Sequence, residues 1–147
     1  MNLENYNNIG ITSIAISSVL SLSKELPLSK ALLIMPLFTS KALTAHLSRK
    51  TTEIKSIEKL ISEKTPLFSN FNKRYYDSLT NSINAIQFLI ETNQISIIDK
   101  KLINKQSFQY RKSMGKRAEK INTASQNVSK LLNENIEKLY LNLRIEL

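Results

Sequence analysis

Cysteine is absent from this 147-residue chain, and glycine (two), proline (three) and histidine (one) are scarce. Without cysteine there are no disulfides, zinc–thiolate sites or thiol chemistry, and nothing argues for an oxidising compartment. The single histidine, His46, cannot build a multi-histidine metal site; on a largely apolar segment it reads as a packed or surface side chain. With only Gly10 and Gly115 there is no glycine-rich loop to cradle phosphate. No G-x-S-x-G, H-E-x-x-H or C-x-x-C motif occurs. Glu134 and Glu137, three apart, read as a solvated helix face, and Glu53 and Asp77 stand isolated. No catalytic constellation emerges, so the chain is expected to be non-enzymatic, with no metal and no cofactor.

Long hydrophobic runs are also missing. The most apolar stretch, LPLSKALLIMPLFTSKALTAHL (26–47), is interrupted by Lys30, Ser40 and Lys41. It falls short of the roughly 20 apolar residues that span a bilayer. Glu4 stands where a signal peptide would place positive charge. A cytoplasmic protein without membrane attachment is the expectation.

What is present describes a folded domain. The hydrophobic fraction of 41% and charged fraction of 22% are those of a soluble globular chain, and the length suits one domain, 1–147. The net charge of +9 points to an anionic or acidic partner, although the Lys-, Asn- and Ile-rich composition is also that of an A/T-biased coding sequence.

Sparse glycine and proline favour helices joined by short connections. Ile11, Ile14, Ala15, Ser18, Val19 and Leu22 keep helical spacing over 10–23. Pro27 suits a first helical position. The segment it opens bends at Pro36, which has no backbone donor, and resumes through Leu37, Leu43 and Leu47. Thr51 or Thr52 can cap a helix over 53–63, and Thr65-Pro66 signals a start at 66. The polar interval SLTNS (78–82) is either a turn between helices 66–78 and 82–92 or the middle of one helix. QISIIDKKLINKQ (94–106) reads as a β-hairpin that lacks an Asn-Gly turn. Residues 113–134 are helical again.

The fold class is therefore mainly α: a helical domain with a winged-helix-like arrangement, three helices plus a small β-hairpin, and N- and C-terminal helical extensions. Its parts are an apolar helical segment (8–50), a winged-helix-like core (53–106), and a C-terminal helix with a terminal strand (107–147). A four-helix array with an incidental hairpin is the alternative. The ending LYLNLRIEL (139–147) alternates strictly, which favours a strand from Leu141; a helix would place Ile136, Leu139, Leu143 and Leu147 on one face but strand Leu141 and Ile145 opposite.

Between 100 and 120, Lys100, Lys101, Lys105, Arg111, Lys112, Lys116, Arg117 and Lys120 face only Glu119 in opposite charge, with Phe108 and Tyr110 interleaved. Such a stretch can hold phosphates, unless it is a solvated face. A winged helix reads DNA through its third helix. Here that helix, SINAIQFLIETN, has no Arg or Lys and offers only Asn84 and Gln87. Non-specific DNA contact, or contact with an acidic protein, fits better than sequence-specific readout.

Several stretches together resemble the middle component of three-component ABC-ATPase systems, bacterial conflict operons that include Lamassu-type anti-phage defence. They are Leu26-Pro27, the apolar run broken by Pro36, the Ser48-Arg49-Lys50-Thr51 close, the Phe71–Arg74 step, and the β-structure at Ile95–Ile98. The likeness covers residues 8–106, and LYLNLRIEL departs from the short glycine-containing ending of the family. The resemblance implies a small non-catalytic subunit between an SMC-like ABC ATPase and an effector, with a nuclease as the expected effector. On this reading Leu33, Met35, Leu37 and Phe38, with Leu141, Leu143 and Ile145, form the partner interface. A free-standing winged-helix DNA-binding regulator, or a phage or plasmid structural protein, are the competing readings.

Overall fold

The computed structural model describes residues 3–147, with side chains from residue 8 onward; Met1, Asn2 and the side chain of Glu4 lie outside the described residues. The first helix, α1 (Leu3–Ser23), is the centre of the fold. Residues 12–20 are buried almost all round, as a helix without a polar face must be. Its hydroxyls are accommodated by bonding back one turn: Thr12 to the Asn8 carbonyl at 2.6 Å, Ser13 to Ile9 at 2.7 Å and Ser18 to Ile14 at 2.6 Å.

The 26–47 segment wraps this helix in short pieces. After strand β1 (Glu25–Pro27) come α2 (Leu28–Ala31), α3 (Ile34–Phe38) and α4 (Lys41–Ser48). Pro27 ends β1 and precedes α2 with extended backbone, instead of opening the helix. Pro36 stands in the first turn of α3, where a backbone N–H would have no intrahelical acceptor to lose. Breaks at 32–33 and 39–40 let consecutive pieces turn, and the α2–α3 stretch meets α4 at a bend of 104°. Ser40 caps α4, accepting from the Leu43 N–H at 3.1 Å. Among the described residues no single helix is long and apolar enough to cross a membrane.

The helix expected over 53–63 is shorter. Its cap is Ser56, not Thr51 or Thr52: α5 runs Ile57–Glu63, with the Lys59 N–H donating to Ser56 Oγ at 3.1 Å. Thr52 instead donates to the His46 carbonyl at 2.6 Å. A 3-10 turn (Thr65–Phe68) follows, with Pro66 inside it. The helices expected at 66–78 and 82–92 are one, α6 (Phe71–Glu91). SLTNS does not break it because Ser78 and Ser82, one turn apart, are buried on the helix that packs against α1. Small side chains at that spacing are a packing seam.

The hairpin is present: β2 (Ile95–Ile98) and β3 (Lys101–Asn104) pair antiparallel, with Ile97 opposite Leu102. Asp99 and Lys100 take positive φ (51° and 63°), the geometry of a two-residue type I′ loop without its usual glycine. β1 adds to the other edge of β3, pairing Leu26 with Leu102, so the sheet has three strands in the order β1-β3-β2.

α7 (Lys116–Leu131) starts after Gly115, whose φ of 95° and ψ of 174° belong to a region nearly reserved for glycine. It packs along α1 and α4. The last element is a helix, α8 (Ile136–Asn142), capped by Asn135, and not the expected strand. The expected difficulty, apolar side chains on the wrong face, is solved by ending the helix early. Arg144 adopts φ 58°; its N–H reaches the Leu141 carbonyl and that of Ile145 reaches Tyr140, the pattern of a Schellman close. Ile145 is thereby returned to the core while Leu141 is left 79% exposed.

Candidate functional site

The basic residues of the 100–120 stretch are all exposed, but they do not form one surface. Lys100 and Lys101 sit at the hairpin loop and line a cavity of about 600 Å³ with Pro27, Leu28, Leu32, Tyr75, Ile136, Tyr140 and Leu147. Lys101 also lies 3.9 Å from Glu25. Within this cavity the Tyr140 hydroxyl donates to the Ser29 carbonyl at 2.7 Å and lies 3.3 Å from that of Tyr75. Burial pushes the Tyr140 phenol well above its ordinary value, with the Tyr75 hydrogen bond adding to the shift. Lys105, Arg111 and Lys112 are on the connection from β3 to α7. That connection is tied to α1 through the Phe108 N–H, which donates to Ser21 Oγ at 2.6 Å. Phe108 and Tyr110 are half-buried.

Lys116, Arg117 and Lys120 occupy the first two turns of α7. They face Lys41, the first residue of α4, across a groove of about 340 Å³ floored by Phe38, Thr44 and Ile121. The groove exists because α4 and α7 are held in register. Asn127, buried on α7, donates through Nδ2 to the carbonyl of Leu47 at 2.7 Å. Thr44 is held by bonds to the carbonyls of Ser40 (2.9 Å) and Phe38 (3.3 Å). Among the described residues none of the four cations has a carboxylate within 4.0 Å. Lys41 has no local signal; only the α4–α7 packing brings it to the site.

Arg117 also lines an adjoining cavity of about 250 Å³ with Asn8, Thr12, Thr39, Arg74, Asp77 and Asn81. Charge there is already engaged. Lys73 holds Asp77 at 2.6 Å. Arg74 donates to the carbonyls of Leu67 (2.8 Å) and Pro36 (2.9 Å) and to Thr39 Oγ1 (3.2 Å), and its guanidinium lies 4.8 Å from the Phe71 ring centre.

The residues expected at a partner interface divide sharply. Leu33, Met35, Leu37 and Phe38 are 0–6% exposed, and Leu143 and Ile145 are also buried; all belong to the chain's own core. Only Leu141 of that set presents surface. The apolar character of 26–47 is consumed internally, because the turns around Pro36 fold it against α1 and α6.

Several of the remaining polar candidates are tied up within the chain. Glu134 is not a solvated carboxylate: its Oε2 accepts from the Ile57 N–H at 2.8 Å, satisfying the start of α5, and its Oε1 lies 3.2 Å from Lys138. Lys138 also reaches Glu58 at 3.1 Å, which raises the ammonium and lowers the carboxyl pKa. On α6, Asn84 is exposed and Gln87 donates to Glu91 at 3.2 Å. His46 is half-buried with Nδ1 unpartnered. Burial, then Lys64 and Arg49, depress its pKa. No cluster of metal-ligating side chains occurs among the described residues.

A closed helical core that presents a cationic groove is suited to holding an anionic surface. The model of one family, ABC-three component (ABC-3C) system Middle Component 3, matches residues 12–147. The chain belongs to that family. The match runs through the C-terminal helix, so LYLNLRIEL is part of the family's domain. No curated protein and no solved structure gives a significant match.

Proposed function

We propose that this chain is a non-catalytic cytoplasmic adaptor that bridges an SMC-like ABC ATPase to an effector nuclease, in a system of the Lamassu anti-phage type. Membership of a middle-component family carries the reading. The architecture supports it: burial consumes the apolar sequence, while the cations of the α4–α7 groove stand without counter-ions among the described residues. A small subunit of this kind contributes shape and charge to an assembly, and the ATPase and effector supply the chemistry.

The test is to co-express an ABC ATPase and an effector of such a system with and without this subunit. Expected are co-elution of all three, no nucleotide hydrolysis or nuclease activity from the chain alone, and loss of triggered effector activity when it is omitted. Assembly and triggering that proceed equally well without it would overturn the adaptor role. Hydrolysis by the pure chain, abolished by a point substitution in it, would overturn the non-catalytic one.

A further inference from the structure

The α4–α7 groove gathers positive charge where the helix itself disfavours it. Lys116 and Lys120 are one helical turn apart, a like-charge spacing that destabilises a helix. With Arg117 they crowd the N-terminal end of α7, where the helix dipole disfavours positive charge. Lys41 adds a fourth cation from the facing helix. Beneath the charged ends the lining is apolar: the methylenes of the basic side chains form the walls, over a floor of Phe38 and Ile121 that is itself almost fully buried. The volume, about 340 Å³, lies at the small end of ligand pockets.

We propose that this groove receives a short acidic segment of a partner protein, one apolar side chain lying against the methylenes of the basic side chains while flanking carboxylates meet Lys41, Lys116, Arg117 and Lys120. The inference rests on the adaptor reading and names the chemistry by which the subunit holds its partner. Nucleic acid fits less well. A duplex presents a charge about every 1.7 Å along its axis and rewards an extended row of cations. Here Lys100 and Lys101 line a separate cavity that shares no residue with the groove. A single strand rewards exposed aromatic platforms, and the groove's aromatic, Phe38, is 3% exposed. Four cations whose methylenes line one small groove match a compact acidic motif with one apolar side chain.

The experiment measures fluorescence anisotropy of a labelled Glu-Asp-Glu-Phe-Asp-Glu peptide with the full-length chain. The comparison probes are a hexaglutamate peptide and a 20-base-pair duplex at the same salt. Expected is saturable binding of the Phe-containing peptide, weakened about tenfold or more by Lys116→Glu with Arg117→Glu, and likewise by Lys41→Glu. Hexaglutamate should bind at least about threefold more weakly. Lys105→Glu with Arg111→Glu, outside the groove, should change little. Should the double reversal melt early, Lys41→Gln with Lys120→Gln serves instead, with a loss of about threefold expected. Equal losses from the control pair, equal binding of hexaglutamate, or tighter binding of the duplex lost through the same groove variants would each overturn the proposal. The same variants in the co-expressed assembly separate the two readings. An intact complex with the groove reversed removes the groove inference and leaves the adaptor. Failure of the wild-type chain to join any complex removes the adaptor.

Discussion

Arg74 donates from Nη2 to the carbonyl of Pro36 at 2.9 Å, bridging helices whose residues lie far apart in sequence. The proline that fragments the apolar segment thus offers its carbonyl to a cation, and Nη1 of the same guanidinium takes the Leu67 carbonyl at 2.8 Å. Burial depresses the Arg74 pKa, though not enough to discharge an arginine. One side chain therefore fixes α3, the 3-10 turn and α6 relative to each other.

Arg74→Ala removes donors from two partly buried carbonyls and should cost about 1.5–3 kcal/mol, the range for hydrogen bonds to a charged group. Arg74→Lys should lose more than half as much, because an ammonium keeps the charge without the planar fork. Urea denaturation checks both. A lysine variant as stable as the parent would mean that charge alone holds this junction.

Glycine scarcity in the sequence implied few turns, yet several helix ends use the left-handed conformation. Lys24 after α1, Asn93 after α6 and Arg144 after α8 take φ of 70°, 61° and 58°. Periodicity made most of the helical sequence legible, since α6 and α7 carry plain apolar stripes, but it left α6 open as one helix or two. It could not reveal these closes, because only glycine advertises the conformation. Nor could it reveal that SLTNS is a seam: Ser78 and Ser82 look like a turn until α1 is packed against them. Glu134 and Lys41 were opaque for a third reason. The partner of one is the N–H of Ile57, and the other joins the groove only through the α4–α7 contact, so neither leaves a local pattern.

Backbone conformation gives a paired prediction. Gly115→Ala should destabilise by about 1–3 kcal/mol, since an alanine at φ 95° and ψ 174° is strained even with open space around it. Arg144→Gly should stabilise by about 0.5–1 kcal/mol by relieving the left-handed penalty. Thermal melts of the two variants should move in opposite directions. The reverse pair of shifts, Gly115→Ala melting higher and Arg144→Gly lower, would show that unfolded-state entropy, and not native strain, dominates at both sites.

His46 should make stability depend on pH. Its folded pKa lies below the ordinary 6.5, through burial first and then Lys64 and Arg49, with Glu63 opposing. The folded state therefore prefers the neutral imidazole, and the unfolded chain takes up the proton first as pH falls. The associated stability is fully present above pH 6.5 and is lost as pH drops through the folded pKa. Denaturation free energies at pH 7 and 5.5 should decline for the parent and decline less for His46→Gln. Identical declines would assign the effect to other groups.

The C-terminal residues should stabilise the isolated chain and not only a complex. Leu143 and Ile145 are buried, the Glu146 N–H donates to Asn72 Oδ1 at 2.8 Å, and the Tyr76 hydroxyl donates to the Glu146 carbonyl. Both partners lie on α6, so the tail after α8 is fastened to the longest described helix that follows α1. Burying an aliphatic side chain contributes about 1.5–3 kcal/mol, so deleting 143–147 should remove roughly 3–6 kcal/mol, a large share of a small domain's stability. Ile145→Ala alone should cost about 2–4 kcal/mol. Deleting only Leu147, which is 92% exposed, should stay within about 0.5 kcal/mol. Were the tail instead a strand reserved for a partner's sheet, the free chain would melt unchanged after the longer deletion and only assembly would suffer. Calorimetry of the purified chain distinguishes the two: an unaltered melting temperature without residues 143–147 would refute the docked tail.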